Sequence, residues 1–296
     1  MRHHTIALFA AAIVGLCGCR TTPPPRPQVE MPPRRPQQPP VTVASHTLRT
    51  PRPLAIHVAK VDLSRRGVEV VCAAAPDPDF SGPATTRLLT PTVLFTNAAL
   101  TLAVNANAFA VIAPKNTGSA GMYVEQAPAT LCGFAASGGR LLSRPDRAFV
   151  SFWIDERGQP HIGMPGPGDT IREGVAGFGR LLDNGSTVPE PSEKTLHPRT
   201  AVGFSADRRT LWLVVVDGRD GGVSEGMTVF ELAEYMRSLG AAEALNLDGG
   251  GSSVMLCAPP AEGPTVVRIV NRPSTRFLGQ PVMRPVPVLL GVRLRP

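Results

Sequence analysis

The chain predicts an α+β fold (mixed α/β): a mixed sheet with few helices and at least one parallel strand-helix-strand unit near the C-terminus. Three observations predict it. Leu211 to Val216 is an unbroken apolar run, the pattern of a strand buried on both faces. Thr228-Val-Phe-Glu231 opens a helix as a capping box, in which the Thr hydroxyl and the Glu carboxylate each satisfy a backbone N–H of the first turn. Ala244 to Leu247 follows as a second short strand. At this spacing the three form a crossover unit, which would lay the two strands parallel with their carboxyl ends at one edge, where ligands bind in such sheets.

From the N-terminus, Arg2 precedes an apolar run from Thr5 to Gly18 that suits a signal-peptide core and is too short to span a bilayer. It ends Leu16-Cys17-Gly18-Cys19, which resembles the lipobox of bacterial lipoproteins. Residues 1–18 therefore read as a lipoprotein signal peptide and Cys19 as the lipidated first residue of the mature chain, since several acyl chains on one cysteine anchor stably. Residues 19–53 read as a Pro-rich tether: 11 of the 32 prolines fall between Arg20 and Pro53, with almost nothing apolar to bury. The protein is expected to be exported and lipid-anchored to the bacterial cell envelope, at the periplasmic or outer-membrane face.

The formal net charge is +7, but residues 1–53 hold seven Arg and one Glu, and the remainder is nearly neutral. A nucleic-acid footprint is therefore not expected. Cys72, Cys132 and Cys257 remain after export, at spacings that fit no zinc motif. An oxidising compartment allows one disulfide and leaves one thiol, and the sequence does not choose the pair.

Residues 54–296 suffice for one domain with a substantial core. Ile56 to Leu63 and Val68 to Cys72 alternate across Arg65-Arg66-Gly67 and predict a hairpin. Pro91 opens a short helix near Thr92 to Ala98. Leu100 to Val104 predicts a buried strand running into Asn105, and Phe149 to Ile154 another. Val229, Leu232, Ala233, Met236 and Leu239 repeat at helical spacing until Gly240 ends the helix. Trp212 interrupts a buried strand and is assigned to the core.

Polar residues gather at the predicted strand ends. Asn246 and Asp248 are two apart and share a face, while Gly249, Gly250 and Gly251 let backbone N–H groups approach an anion. The run lacks a nucleotide-loop Lys, and Ser252 is not in a nucleophile elbow. Arg199 shares a strand face with the small Ala201 and Gly203, so its guanidinium has room to reach a phosphate. Asp217 and Arg219 stand directly after the buried strand. His197, beside Arg199, is read as structural, and His57 stands alone.

Taken in order, Asn105-Ala-Asn107-Ala-Phe109, Gly177-Phe-Gly-Arg-Leu-Leu-Asp-Asn-Gly185, His197-Pro-Arg-Thr-Ala-Val-Gly203, Val216-Asp-Gly-Arg219, Asn246-Leu-Asp-Gly-Gly-Gly-Ser252-Ser253 and Asn271-Arg-Pro-Ser274 resemble the phosphodiester glycosidase family. That family includes the uncovering enzyme, N-acetylglucosamine-1-phosphodiester α-N-acetylglucosaminidase. The resemblance covers roughly residues 54 to 293. Members carry Asn-Gly-Gly and two aromatics where this chain has Asn105 to Phe109, which implies added Cβ atoms near the pocket.

The resemblance implies hydrolysis between a sugar anomeric carbon and a phosphodiester, on envelope polymers or glycans. Such a reaction needs a carboxylate near the developing sugar charge and cations at the departing phosphate. Asp248, then Asp217, are assigned the carboxylate role, and Arg199 and Arg219 the phosphate. Asn105, Asn107, Asn246, Ser252, Ser253 and Asn271 are expected to bind substrate, with the glycine N–H groups holding phosphate oxygens. No cofactor is predicted; the acids leave room for a divalent cation, but no ligand spacing points to one. The expected partners are the glycosyl-phosphodiester or envelope polysaccharide and, through the N-terminal lipid, the membrane. The rival reading is a non-catalytic sugar-phosphate-binding envelope lipoprotein.

Overall fold

A computed structural model describes residues 38–75, 84–112, 122–258 and 266–295. The signal peptide, Cys19 and the tether as far as residue 37 lie outside the described residues. The last part of the expected tether is instead a strand, β1 (Val41–Leu48), paired antiparallel with β2 (Leu54–Asp62). The folded unit therefore begins at Pro39 and not at residue 54.

Along the chain follow β3 (Val68–Ala74), α1 (Pro91–Asn97), β4 (Leu102–Asn105), β5 (Val150–Asp155), β6 (Ile171–Gly177), β7 (Gly179–Asp183), β8 (Arg199–Phe204), β9 (Thr210–Val216), α2 (Val229–Ser238), β10 (Glu243–Asn246), β11 (Met255–Cys257) and β12 (Val288–Leu294). A seven-stranded sheet runs β1-β2-β9-β8-β10-β7 and ends in the short strand Ser186–Thr187. A five-stranded sheet holds β11, β4, β12 and β3 behind the edge strand Arg268–Ile269. A second five-stranded sheet centres on β5 and β6.

Burial explains the layering. One face of the seven-stranded sheet (Ala59, Val202, Leu213, Leu245) packs against Val104, Leu290 and Val292 of the first five-stranded sheet and against Phe152 and Val175 of the second. The opposite face (Ile56, Val58, Val214, Val216) is covered by Leu232, Ala233 and Met236 of α2. Helix α1 covers the outer side of the first five-stranded sheet through Leu94 and Phe95. Central strands are thus covered on both sides, which is why β9 reads as an uninterrupted apolar run. Trp212 is 6% exposed and packs with the α2 side of the core.

The predicted parallel unit does not form, and the fold is built of antiparallel strands, not an α+β fold on a partly parallel sheet. Every ladder between described strands is antiparallel, and β9 and β10 are not neighbours. Strand β8 lies between them, antiparallel to both, with Arg199 opposite Val216 and Ala201 opposite Asn246. Helix α2 therefore crosses over β8, which precedes β9 in sequence and fills the gap. The capping box itself is present: Glu231 N donates to Thr228 Oγ1 at 3.1 Å and Thr228 N to Glu231 Oε2 at 2.9 Å. Gly240 ends α2 at φ +94°.

The predicted hairpin of β2 and β3 is also absent. The two strands belong to different sheets, and Arg65-Arg66-Gly67 carries the chain from one to the other. Gly67 is required there, because at φ +83° a Cβ would overlap the Arg295 carbonyl.

Candidate active site

The antiparallel order still brings three strand ends together, because β8 begins where β9 and β10 finish. A cleft of about 590 Å³ opens at that edge. Of the residues expected at the site, Arg199, Arg219, Asn246, Asp248, Gly249, Gly250 and Gly251 line it. Asn105, Asn107, Asp217, Ser252, Ser253 and Asn271 do not line it.

Asp248 follows β10 directly and is held by its backbone. Its N–H donates to Ala106 O at 2.9 Å, and its carbonyl accepts from Asn105 Nδ2 at 2.6 Å. Asn105 is 1% exposed, and its Oδ1 accepts from Thr200 Oγ1 (2.8 Å) and Val254 N (3.1 Å), which fills both acceptor sites of that oxygen. The Asn105-to-Phe109 segment thus acts as a brace behind Asp248. Asn107 ties the Cys132-to-Phe134 loop to β6, donating to Cys132 O and Phe134 O and accepting from Ala176 N.

Burial pushes the Asp248 carboxyl up to about 6, against the opposing pull of the Ser252 hydroxyl, the Arg284 guanidinium and the Gly249 N–H. Ser252 Oγ is buried without a full hydrogen bond, so its influence on Asp248 is a polar contact and not a tight one. Glu193, the other acid of the cleft, behaves oppositely. Its burial is outweighed by the Val229 N–H and by Arg199, which hold it below the usual carboxylate range.

Asp217 sits at the equivalent end of β9 yet is 5% exposed and saturated. Its carboxylate accepts from Arg272 N (3.0 and 3.1 Å) and Asn271 Nδ2 (3.1 Å), and Oδ2 lies 3.0 Å from His57 Nε2. Ser45 Oγ completes the chain at 2.8 Å from His57 Nδ1. Asp217 therefore fixes the Asn271-to-Thr275 loop, whose Ser274 and Thr275 hydroxyls donate to Gly250 O (3.1 Å) and Gly251 O (3.2 Å). Its carboxylate is spent on these donors, and it does not line the cleft. Ser253 and Asn271 serve the same loop, with Asn271 Nδ2 donating to Ser253 O at 3.2 Å.

The three glycines have three different causes. A Cβ on Gly249 would lie 2.6 Å from Pro198 O, one on Gly250 (φ +60°) 3.1 Å from Arg219 Nη2, and one on Gly251 would overlap Arg284 Nη2. Two of the three N–H groups expected to hold an anion are engaged within the chain, that of Gly250 by Pro198 O at 2.9 Å and that of Gly249 by the Asp248 carboxylate. The glycines form a floor that lets two guanidinium groups approach the chain closely.

The arginines differ in what they have left to offer. Arg199 Nε donates to Met227 O at 2.9 Å and its Nη2 to Thr195 O at 3.0 Å, so much of its fork is committed to backbone. Arg219 is exposed and donates to His197 Nδ1 at 3.3 Å. That nitrogen must then be the acceptor, leaving the proton of a neutral ring on Nε2. Desolvation and the charges of Arg199 and Arg219 hold His197 below the usual histidine range, so it is neutral at pH 7. Arg284 stacks 4.1 Å over the Tyr123 ring, and its Nε is buried without a partner. The sequence reading missed Arg284, His57 and the cleft residue Phe178. The only available signal for Arg284 was a lone cation in a Pro-rich apolar stretch.

Cys72 and Cys132 are free thiols. Among the described residues no group of three His, Cys, Asp or Glu side chains could hold a metal ion.

Comparison with known proteins follows the same outline. The family model for phosphodiester glycosidase matches residues 100–293. The zebrafish N-acetylglucosamine-1-phosphodiester α-N-acetylglucosaminidase catalytic domain, auto-inhibited by its pro-peptide, superposes with a TM-score of 0.60 at 18% identity, over 86% of this chain and 82% of that one. A hypothetical protein from Synechocystis gives 0.57 at 13% identity, over 86% and 62%. A Burkholderia pseudomallei protein gives 0.56 at 15% identity, over 81% and 74%. These structures share the fold at identities too low to transfer residue roles. No curated protein sequence matches the chain.

Proposed function

We propose, because this chain belongs to the phosphodiester glycosidase family, that its cleft hydrolyses a glycosyl-1-phosphodiester at the bond between the anomeric carbon and the phosphate oxygen. One observation carries the reading: a carboxyl raised by burial to about 6 stands in the same cleft as Arg199, Arg219 and Arg284. Ionised above that pH, Asp248 faces the anomeric carbon or the water that attacks it. The departing phosphate monoester needs little protonation, and Arg284 and Arg219 balance the charge that it gains. An ordinary glycosidase requires a second carboxyl as strong acid, and here guanidinium groups take over much of that work.

The substrate belongs, on this reading, to the polymers or glycans of a bacterial envelope, reached from a lipid anchor on Cys19. Mass spectrometry of the mature chain should find acyl groups on Cys19, and an unmodified residue there removes the anchor. The activity is tested by incubating the mature chain with a panel of glycosyl-1-phosphodiesters. Equimolar reducing sugar and phosphate monoester should appear. Saturable binding of a diester without release of either product would replace the enzyme with a sugar-phosphate-binding lipoprotein.

A further inference from the structure

The cleft is lined by two chemically unlike sets of groups. Over Gly250 and Gly251 stand guanidinium groups, which only donate. Asn246 and Phe178 belong to the same lining. Asn246 is 6% exposed, yet no hydrogen bond among the described residues holds its side-chain amide, and Oδ1 is buried without a partner. A buried acceptor left in that state is destabilising unless something from outside donates to it.

The strand register explains why the protein itself does not. Asn246 pairs with Ala201 on one side and Gly179 on the other, so neither residue directly opposite carries a side chain that reaches its amide. A Cβ at Gly179 would meet nothing within 4 Å, so the position opposite Asn246 is unfilled. Phe178 adjoins that position. Its N–H donates to Asn246 O at 2.8 Å, its ring packs at 5.9 Å against Phe149, and it remains 52% exposed although it lines the cleft.

An ionised phosphate brings acceptors only and cannot satisfy Asn246 Oδ1. A sugar hydroxyl or N-acyl N–H can, and the apolar face of a pyranose ring suits an exposed aromatic. We propose that Phe178, the Asn246 amide and the space beside Gly179 form the sugar subsite of the cleft, which selects rings that present a hydrogen-bond donor to Asn246 Oδ1. The assignment rests on the glycosidase reading for its biological meaning, but its test does not require turnover.

Ligand-observed NMR titrations of the mature chain with glucose, with N-acetylglucosamine and separately with inorganic phosphate provide that test. Phe178→Ala and Gly179→Leu should each weaken the bound sugar about tenfold while phosphate affinity and melting temperature stay unchanged. Arg284→Met should do the reverse. The subsite is overturned if the wild type binds neither sugar saturably, if both variants leave sugar binding intact, or if they weaken phosphate as much as sugar. A chain that binds sugar here without releasing product loses the hydrolase reading and keeps the subsite.

Discussion

An Asp248→Asn protein releases sugar from a glycosyl-1-phosphodiester about 10³-fold more slowly than the parent chain, and at pH 7 it also melts at a higher temperature. Both effects have one cause. The cleft walls strip water from the Asp248 carboxylate, and burial raises its pKa from 3.8 to about 6. In the unfolded chain the group ionises near 3.8, so between about pH 4 and 6 the folded state holds the extra proton. Stability therefore falls as pH rises through that window, and above it the folded protein carries the full cost of a desolvated charge. A shift of this size corresponds to about 2 to 3 kcal/mol. Asn removes the charge but keeps the shape, so the gain should be on the order of 1 to 3 kcal/mol at pH 7 and should vanish below about pH 4. Thermal melts across that range read it directly. A variant that loses activity and stability together would mean that Asp248 holds the fold and not the substrate.

Arg284→Met should lower kcat/KM by about 10²-fold and move the acid limb of its pH profile upward. The parent profile should rise through about pH 6 as Asp248 ionises, then level off. Arg284 pulls that carboxyl down from where burial alone would leave it, so loss of the guanidinium raises it further. Met keeps the aliphatic stem but removes the guanidinium that stacks on Tyr123, so the charge and that stacking contact are lost together. Arg284→Lys restores the position of the limb, because the charge returns, without restoring the full rate, because a point charge lacks the planar fork. An Arg284→Met profile that superposes on the parent would detach this arginine from Asp248.

The sequence revealed local structure well and long-range order poorly. Thr228 and Glu231 declare the start of α2 because their hydrogen bonds close within one turn. Strand β8 is invisible as the partner of both β9 and β10, since pairing depends on which faces meet and not on the pattern within each strand. The same limit turned Ile56-to-Cys72 into a hairpin: alternation tells which side chains face a core, not which strand lies alongside.

At the site, Asp217 and Asp248 look alike on paper, each followed by Gly at the end of an apolar run. Only burial and partners separate them. Asp217 is saturated by Arg272 N, Asn271 and His57, whereas Asp248 is desolvated and faces the cleft. Asn105 and Asn246 divide in the same way, the first spent on Asp248 O and Thr200, the second unpartnered. The triple glycine was legible as a place of close approach, and the groups that approach it within the chain are Arg219 and Arg284.

The central claim is that the bond broken is the one at the sugar carbon. Hydrolysis of a glycosyl-1-phosphodiester in ¹⁸O-water, followed by mass spectrometry of both products, tests it directly. Attack at the anomeric carbon, whether by water or through an Asp248 ester that water then cleaves, places the heavy oxygen in the released sugar and none in the phosphate monoester. Heavy oxygen in the phosphate would mean attack at phosphorus, and would contradict an account that seats the sugar carbon against Asp248.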